Sequence, residues 1–359
     1  MILEELEQLL NGQHVDMIKP LDRNAMEQAR YHWDHIAKPL DGMGRFEKMI
    51  IQIAGIQENY QVDICKKAVI PMCADNGIVA EGVSQSGMEV TAIVAANMAG
   101  GIANVCRMAH FAGAQVFPVD IGIASDDIVE NLTNRKVRKA TRDFLIEPAM
   151  TRQEVLQAIL VGIEEVEHCK QKGYQLIATG ERGIGNTTTS SAMASVLLDM
   201  PVCQVTGRGA GLDDKGLLRK QQVIEQAIAK YNIPREDTLT VLQTLGGLDI
   251  AGLVGLYIGG AIYRIPVVID CIIASVAALV AFRLIPQTLD FMMPSHASKE
   301  PATKAIMREL SLEPVIEAEL ALGEGTGAVM LFPLLDMALQ IYHANTTFSD
   351  ISIQDYERY

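Results

Sequence analysis

From residue 67 onward, short apolar runs alternate with longer stretches of helical periodicity. The runs at 67–72, 115–120, 174–178, 202–206 and 266–269 read as strands. Between them, residues 89–112, 148–173, 213 onward, 237–245, 250–263 and 273–282 carry helical spacing, as does a last segment entered at 325–328. Strand–helix alternation of this kind predicts a largely parallel sheet covered on both faces, a three-layer α/β/α architecture. Residues 1–60 lie outside the alternation and read as helices, one over 23–37 that ends at Lys38-Pro39 and one running through Ile56. Pro71 pushes the 67–72 strand toward an edge position. Gly100-Gly101 should break the 89–112 helix. Thr151-Arg152-Gln153-Glu154 is a capping box opening the next helix.

The stretch that organises the chain follows the 174–178 run: Gly180-Glu181-Arg182-Gly183-Ile184-Gly185-Asn186-Thr187-Thr188-Thr189. A glycine-rich loop between a strand end and a helix start is where open α/β sheets bind ligands. The expectation is that Asn186 and the hydroxyls cap the helix and donate to an anion. A well-capped helix start without a ligand explains the same residues. The lysine and glycine spacing of the P-loop and the spacing of the dinucleotide fingerprint are both absent, which argues against a nicotinamide-dependent dehydrogenase.

Charge narrows the choice. The formal charge is −14, which disfavours a nucleic-acid partner while leaving room for a phosphate on a small ligand. The basic segment 131–142 reads as a solvated connection, with a phosphate contact as the alternative. Six scattered cysteines make neither a zinc motif nor a disulfide frame. The acidic start is not a signal peptide, and Arg264, Pro266 and Asp270 interrupt the most apolar region, 250–285, so a membrane role is not expected. A cytoplasmic enzyme is expected, with no metal and no cofactor.

Carboxylates recur at predicted strand ends and loops: Asp75, Glu181, Asp249, Asp270 and Glu324. Beside them stand hydroxyls (Ser84, Ser86, Ser295, Ser298) and the cations Arg208 and Lys220. One edge of a parallel sheet gathers such ends. Glu324, between Gly323 and Gly325, becomes a usable base if apolar neighbours desolvate it, and is otherwise a turn residue. His296 and Glu300 lack a third ligand and read as a loop-to-helix junction.

Five motifs in order, Lys38-Pro39…Gly44-Arg45-Phe46-Glu47, Ala74-Asp75-Asn76-Gly77 through Ser84, Gly180-Glu181-Arg182-Gly183-Ile184-Gly185-Asn186-Thr187-Thr188, Leu245-Gly246-Gly247-Leu248-Asp249 and Leu322-Gly323-Glu324-Gly325-Thr326-Gly327, closely resemble the nicotinate-nucleotide:dimethylbenzimidazole phosphoribosyltransferase family of cobamide synthesis. The resemblance runs from about residue 30 to 343. It implies a Rossmann-like α/β domain over 61–324, with a smaller helical part from 1–60 that the 325–343 helix joins, and a dimer. It implies transfer of phosphoribose from nicotinate mononucleotide to a lower-ligand base with inversion at the anomeric carbon. Glu324 then matches the catalytic base and Glu181 a second carboxylate facing ribose and nicotinate. Gly183, Gly185, Asn186, Thr187, Thr188, Lys220 and Ser298 match phosphate and nucleotide contacts, Asp249 the ribose side and Ser86 the base pocket.

The chain departs from the family pattern at Asn76 (usually histidine), Asp41-Gly42 (usually Gly-Ser), Arg182 (usually apolar) and Val94 (glutamine in some members). Val94 and Asn76 motivate an alternative, a relative that activates phenolic lower ligands in a heterodimer with a paralogue. A non-catalytic nucleotide-binding subunit is a further alternative, against which the retention of Glu181 and Glu324 speaks.

Overall fold

The computed structural model describes residues 1–343 and 346–358. Its main sheet has seven strands: β1 (Lys67–Ala74), β2 (Ala114–Val116), β3 (Val119–Gly122), β4 (Thr133–Asn134), β5 (Leu176–Arg182), β6 (Val267–Ile269) and β7 (Met292–Pro294). The order is β4-β3-β1-β5-β6-β7, with β2 beside the first half of β1, and every pairing is parallel. The chain therefore winds outward from β1 on one side and returns to build the other half from β5. The β1/β5 junction is the point of reversal, where the two following loops diverge and leave a crevice.

Alternation along β1 sorts the core. Ile70 and Met72 face one layer, with helices Arg152–Gln171, Leu248–Tyr263 and Ile272–Leu284. Val69 and Cys73 face the other, with helices Arg23–His35, Arg45–Gln57, Asn104–Phe111 and Thr326–His343. The apolar region near 250–285 is thus a buried helix, strand and helix, as its composition predicts. The 89–112 segment has the length and hydropathy of a membrane span, but it is two helices, Glu89–Ala99 and Asn104–Phe111, separated at the glycine pair.

Three expectations change. Pro71 lies in the middle of a central strand, paired with Gly180 of β5. Phe117 N donates to Val69 O, so by alternation the Pro71 nitrogen faces that same side, opposite Phe117-Pro118, where the ladder breaks between β2 and β3. No sheet donor is lost there. Residues 202–206 are not a strand: Val202–Val205 is a helical turn. Its buried positions, Val202 and Val205, are three apart, with Cys203 and Gln204 exposed between them, which is helical rather than alternating spacing. Gly180, Glu181 and Arg182 belong to β5 itself, so the loop begins at Gly183.

Helix Arg152–Gln171 crosses Leu248–Tyr263 with backbone against backbone, and glycine makes the crossing possible. A Cβ on Gly255 would lie 2.0 Å from Ile159 O, and one on Gly162 2.0 Å from Gly252 O. Gly255→Ala is expected to push these helices apart and cost about 1–3 kcal/mol. Gly100→Ala, at an exposed helix end with 3.4 Å of clearance, should be close to neutral. Thermal melts of both variants check this, and equal melting temperatures would refute the tight crossing.

Candidate functional site

The end of β5 and the loops after β1 and β5 line a cleft. Its walls include Ser84, Ser86, Glu181, Arg182, Gly183, Gly185, Asn186, Thr187, Arg208, Ser298, Glu300 and Gly323. Two glycines let the loops cross. A Cβ on Gly183 would meet Ala74 O at 2.5 Å and Asp249 Oδ2 at 2.6 Å. One on Gly180 would meet Glu324 O at 2.6 Å.

At the centre, Asn186 Nδ2 donates to Glu181 Oε2 at 2.5 Å and to Asp249 Oδ2 at 2.9 Å. The expected helix cap is therefore corrected. Gly185, at φ +95°, is the N-cap, and Asn186 is the first helical residue, its amide committed to two carboxylates. Burial raises Glu181 to about 7, with the Asp249 charge adding to it. Burial likewise raises Asp249 to about 6. Such a pair, sharing one bridging donor, titrates together near neutrality. Cys271 Sγ lies 3.6 Å from Glu181 Oε1 as a second, weak donor.

Glu324 sits at φ +64°, a left-handed conformation unusual for a residue with a side chain. Asp270 holds it there: its Oδ2 accepts from Gly325 N at 3.0 Å and its Oδ1 from Ala328 N at 2.9 Å, so it caps the Thr326–His343 helix. Burial raises the Glu324 pKa, and Arg182, with Nη1 3.9 Å from Oε1, opposes the rise. Glu324 Oε2 is buried with no hydrogen-bond partner among the described residues.

At the other end, the buried Lys220 Nζ donates to Thr187 Oγ1 at 3.0 Å and to Gly207 O at 3.2 Å. Burial lowers its pKa to about 8, and Glu300 opposes the fall. Gly209 N donates to Glu300 Oε1 at 3.2 Å, and Glu300 N to Ser298 Oγ at 3.3 Å. Thr188 is buried with its hydroxyl unpartnered among the described residues. Lysine, hydroxyls and a helix N-terminus together offer the donors and the positive potential that an anion needs.

The site residues expected from sequence thus fall in one place, with Lys220, Thr188, Asp249 and Glu324 behind the cleft surface rather than on it. Other readings part from the site. Asp75 accepts from Ala124 N at 2.8 Å and ties β1 to β3, and Asp270 is a cap. Val94 packs among apolar residues of the second layer and does not line the cleft. The 131–142 cations pair with the chain's own acids, Arg135 with Glu164 and Glu165, Lys136 with Asp120, and Arg138 and Arg142 with Glu154. His296 Nδ1 meets Ser295 Oγ at 3.0 Å. Sequence reasoning missed Cys271, although it directly follows the strand-end Asp270, and saw Arg182 only as a departure.

Glu181 carries a pH signature. Its folded pKa lies above the ordinary 4.5, so the folded chain takes up a proton. The stability this confers is fully present below about 4.5 and is lost as pH rises through about 7. Glu181→Gln removes the penalty. Its stability, read from melting curves, should exceed the wild type's increasingly from pH 5 to pH 8, by on the order of 2–3 kcal/mol at the upper end. Parallel melting curves over that range would exclude a buried, proton-holding Glu181.

Comparison with known proteins agrees with this geometry. A family model described as "Phosphoribosyltransferase" matches residues 18–353. The nicotinate-nucleotide–dimethylbenzimidazole phosphoribosyltransferase of Clostridium acetobutylicum is 43% identical over 352 residues, spanning 98% of this chain and 99% of that one. The protein of the same name from Acetivibrio thermocellus is 43% identical over 345 residues, 96% and 98% of the two chains. The crystal structure of CobT from Thermus thermophilus superposes with a TM-score of 0.88 at 34% identity, covering 93% of this chain and 100% of that one. With its fold and nearly its whole length shared, the chain belongs to the nicotinate-nucleotide–dimethylbenzimidazole phosphoribosyltransferase family.

Proposed function

We propose that the protein transfers phosphoribose from nicotinate mononucleotide to a cobamide lower-ligand base, dimethylbenzimidazole or a relative, releasing nicotinate and an α-riboside 5′-phosphate. The observation that carries the reading is a desolvated Glu324 beside a cleft whose far end is an anion site. The phosphate lies against Thr187 and Ser298 on the cleft wall, with the buried Lys220 behind Thr187 and the Asn186–Leu198 helix N-terminus adding positive potential. Glu181 and Asp249 then flank the ribose. A nitrogen lone pair of the base forms the new bond to C1′ as the bond to nicotinate breaks. The departing electron pair neutralises the pyridinium nitrogen, and the proton on the base's other nitrogen passes to Glu324. Attack opposite the leaving group inverts C1′.

Phenolic acceptors gain no support from Val94, which packs in the second apolar layer away from the cleft, while Asn76 lies behind the loop, its Nδ2 3.5 Å from Ile184 O. Six free cysteines are consistent with a cytoplasmic enzyme. The helix pair Arg23–His35 and Arg45–Gln57 packs together and meets Thr326–His343, which supports a smaller helical part drawn from both chain ends, whereas the first helix, Leu3–Leu10, packs against Arg152–Gln171 in the other layer and stands apart from it. Exposed Ile93, Ile102, Phe111, Met330 and Met337 supply an apolar face for a second copy. Light scattering should give twice the chain mass, and the chain mass alone would exclude the homodimer.

The decisive assay is nicotinate release from nicotinate mononucleotide with dimethylbenzimidazole. Glu324→Gln should lower kcat by about 10²–10⁴-fold, the usual worth of a general base, with little change in the mononucleotide KM. Lys220→Ala should instead raise that KM about tenfold or more. A Glu324→Gln enzyme of undiminished kcat would remove Glu324 from the chemistry.

A further inference from the structure

Arg182 is the last residue of β5 and lines the cleft. Its side chain is 23% exposed. No hydrogen bond from its guanidinium is found among the described residues, and Nε is buried and unpartnered. Its nearest acidic atom, Glu324 Oε1, is 3.9 Å from Nη1. That is well beyond the ~2.8 Å of a charge-assisted hydrogen bond. Half-buried guanidinium groups normally spend several of their five donors on protein oxygens. This one spends none, and the carboxylate beside it has a free buried oxygen of its own. Side by side, they form an unsatisfied donor–acceptor pair, Arg182 on the cleft wall and Glu324 just behind it.

We propose that Arg182 is a specificity-determining residue that selects, as phosphoribose acceptor, a fused azole bearing a hydrogen-bond acceptor on its six-membered ring. The inference rests on the transfer reading above. The ring N–H of such a base is a donor and answers Glu324. A ring nitrogen or ether oxygen on its other half is an acceptor and answers the guanidinium. An all-carbon six-membered ring answers only Glu324 and leaves the guanidinium desolvated and unpaired. Sites built around a polar group reject ligands that lack its partner more strongly than apolar pockets reject a change of size. Arg182 also keeps Glu324 ionised to lower pH than burial alone would allow.

Purine and benzimidazole test this cleanly, since they differ in shape very little and in ring nitrogens by two. The readout is the ratio of their kcat/KM values, measured by nicotinate release in wild type and in Arg182→Met. The ratio of purine to benzimidazole should fall about tenfold or more in the variant. The acidic limb of the benzimidazole kcat/KM profile should move to higher pH, because Glu324 loses its cationic neighbour. A merely structural Arg182 would lower both activities together and leave the ratio and the limb in place. A ratio within twofold of wild type overturns the proposal. Should the methionine variant fail to fold, Arg182→Gln, which loses the charge and the fork, is subject to the same comparison and the same criterion. No nicotinate release with any acceptor from wild-type protein that binds the mononucleotide would instead overturn the transfer reading, and the proposal with it.

Discussion

One side-chain amide holds the centre of this molecule together. Asn186 gives one hydrogen to Glu181 and the other to Asp249. Both acids are buried, which raises the cost of ionising each, and the Asp249 charge raises that of Glu181 further. An amide can give two hydrogen bonds without bringing a charge, so it draws the pair together while leaving their negative potential available to a ligand. A lysine or arginine at that point would bind the acids more strongly and cancel that potential. Asn186 is fixed in turn by backbone: Gly185 turns the chain at φ +95°, and Gly183 lets the loop pass within touching distance of Ala74 O and Asp249.

The other partner, Asp249, is placed by packing far from the cleft. It lies in the first turn of Leu248–Tyr263, the helix that crosses Arg152–Gln171 through Gly162, Gly252 and Gly255. Close glycine crossings leave little freedom to slide, since backbone meets backbone with no flexible side chain between. The position of a carboxylate is thereby set by a crossing near the middle of the helix. Glu324 is placed by the same logic in different form. A buried carboxylate, Asp270, takes two backbone amides of the next helix's first turn and holds a non-glycine residue in the left-handed region.

Much of this is legible in the chain itself. Alternating apolar runs and helical periods mark the parallel sheet, and glycine clusters mark where loops meet. What failed was local. The 202–206 run is rich in β-branched residues, yet its buried positions are spaced for a helix. Pro71 would weaken most central strands, but here a second break in the neighbouring strand faces it, a long-range pairing that no local window contains. Asn186 has the composition of a cap, and only the arrival of Asp249, sixty-three residues later, turns its amide inward. Likewise the strand-end carboxylates look alike in sequence. Tertiary contacts divide them into Asp75 and Asp270, which bond backbone amides, and the three that gather at the cleft.

The distribution of charge along the cleft then acquires a direction. Lys220 and Arg208 stand at one end, and Glu181 with Asp249 at the middle. A pyridinium nucleotide is itself polarised this way, with phosphate at one end and a cationic ring at the other. Carboxylates that merely attracted the cationic ring would stabilise substrate as much as transition state and bring no acceleration. As the bond to the ring breaks, however, positive charge leaves the ring and collects on the ribose at C1′. Acids fixed beside the sugar rather than beside the ring gain attraction during that step. Their raised pKa values set the condition for it: the pair must have lost at least one proton. An anion at the far end cannot compensate, since a phosphate bound there, as proposed, keeps its distance from C1′. The charge that matters is therefore the one that Asn186 holds in place without neutralising it.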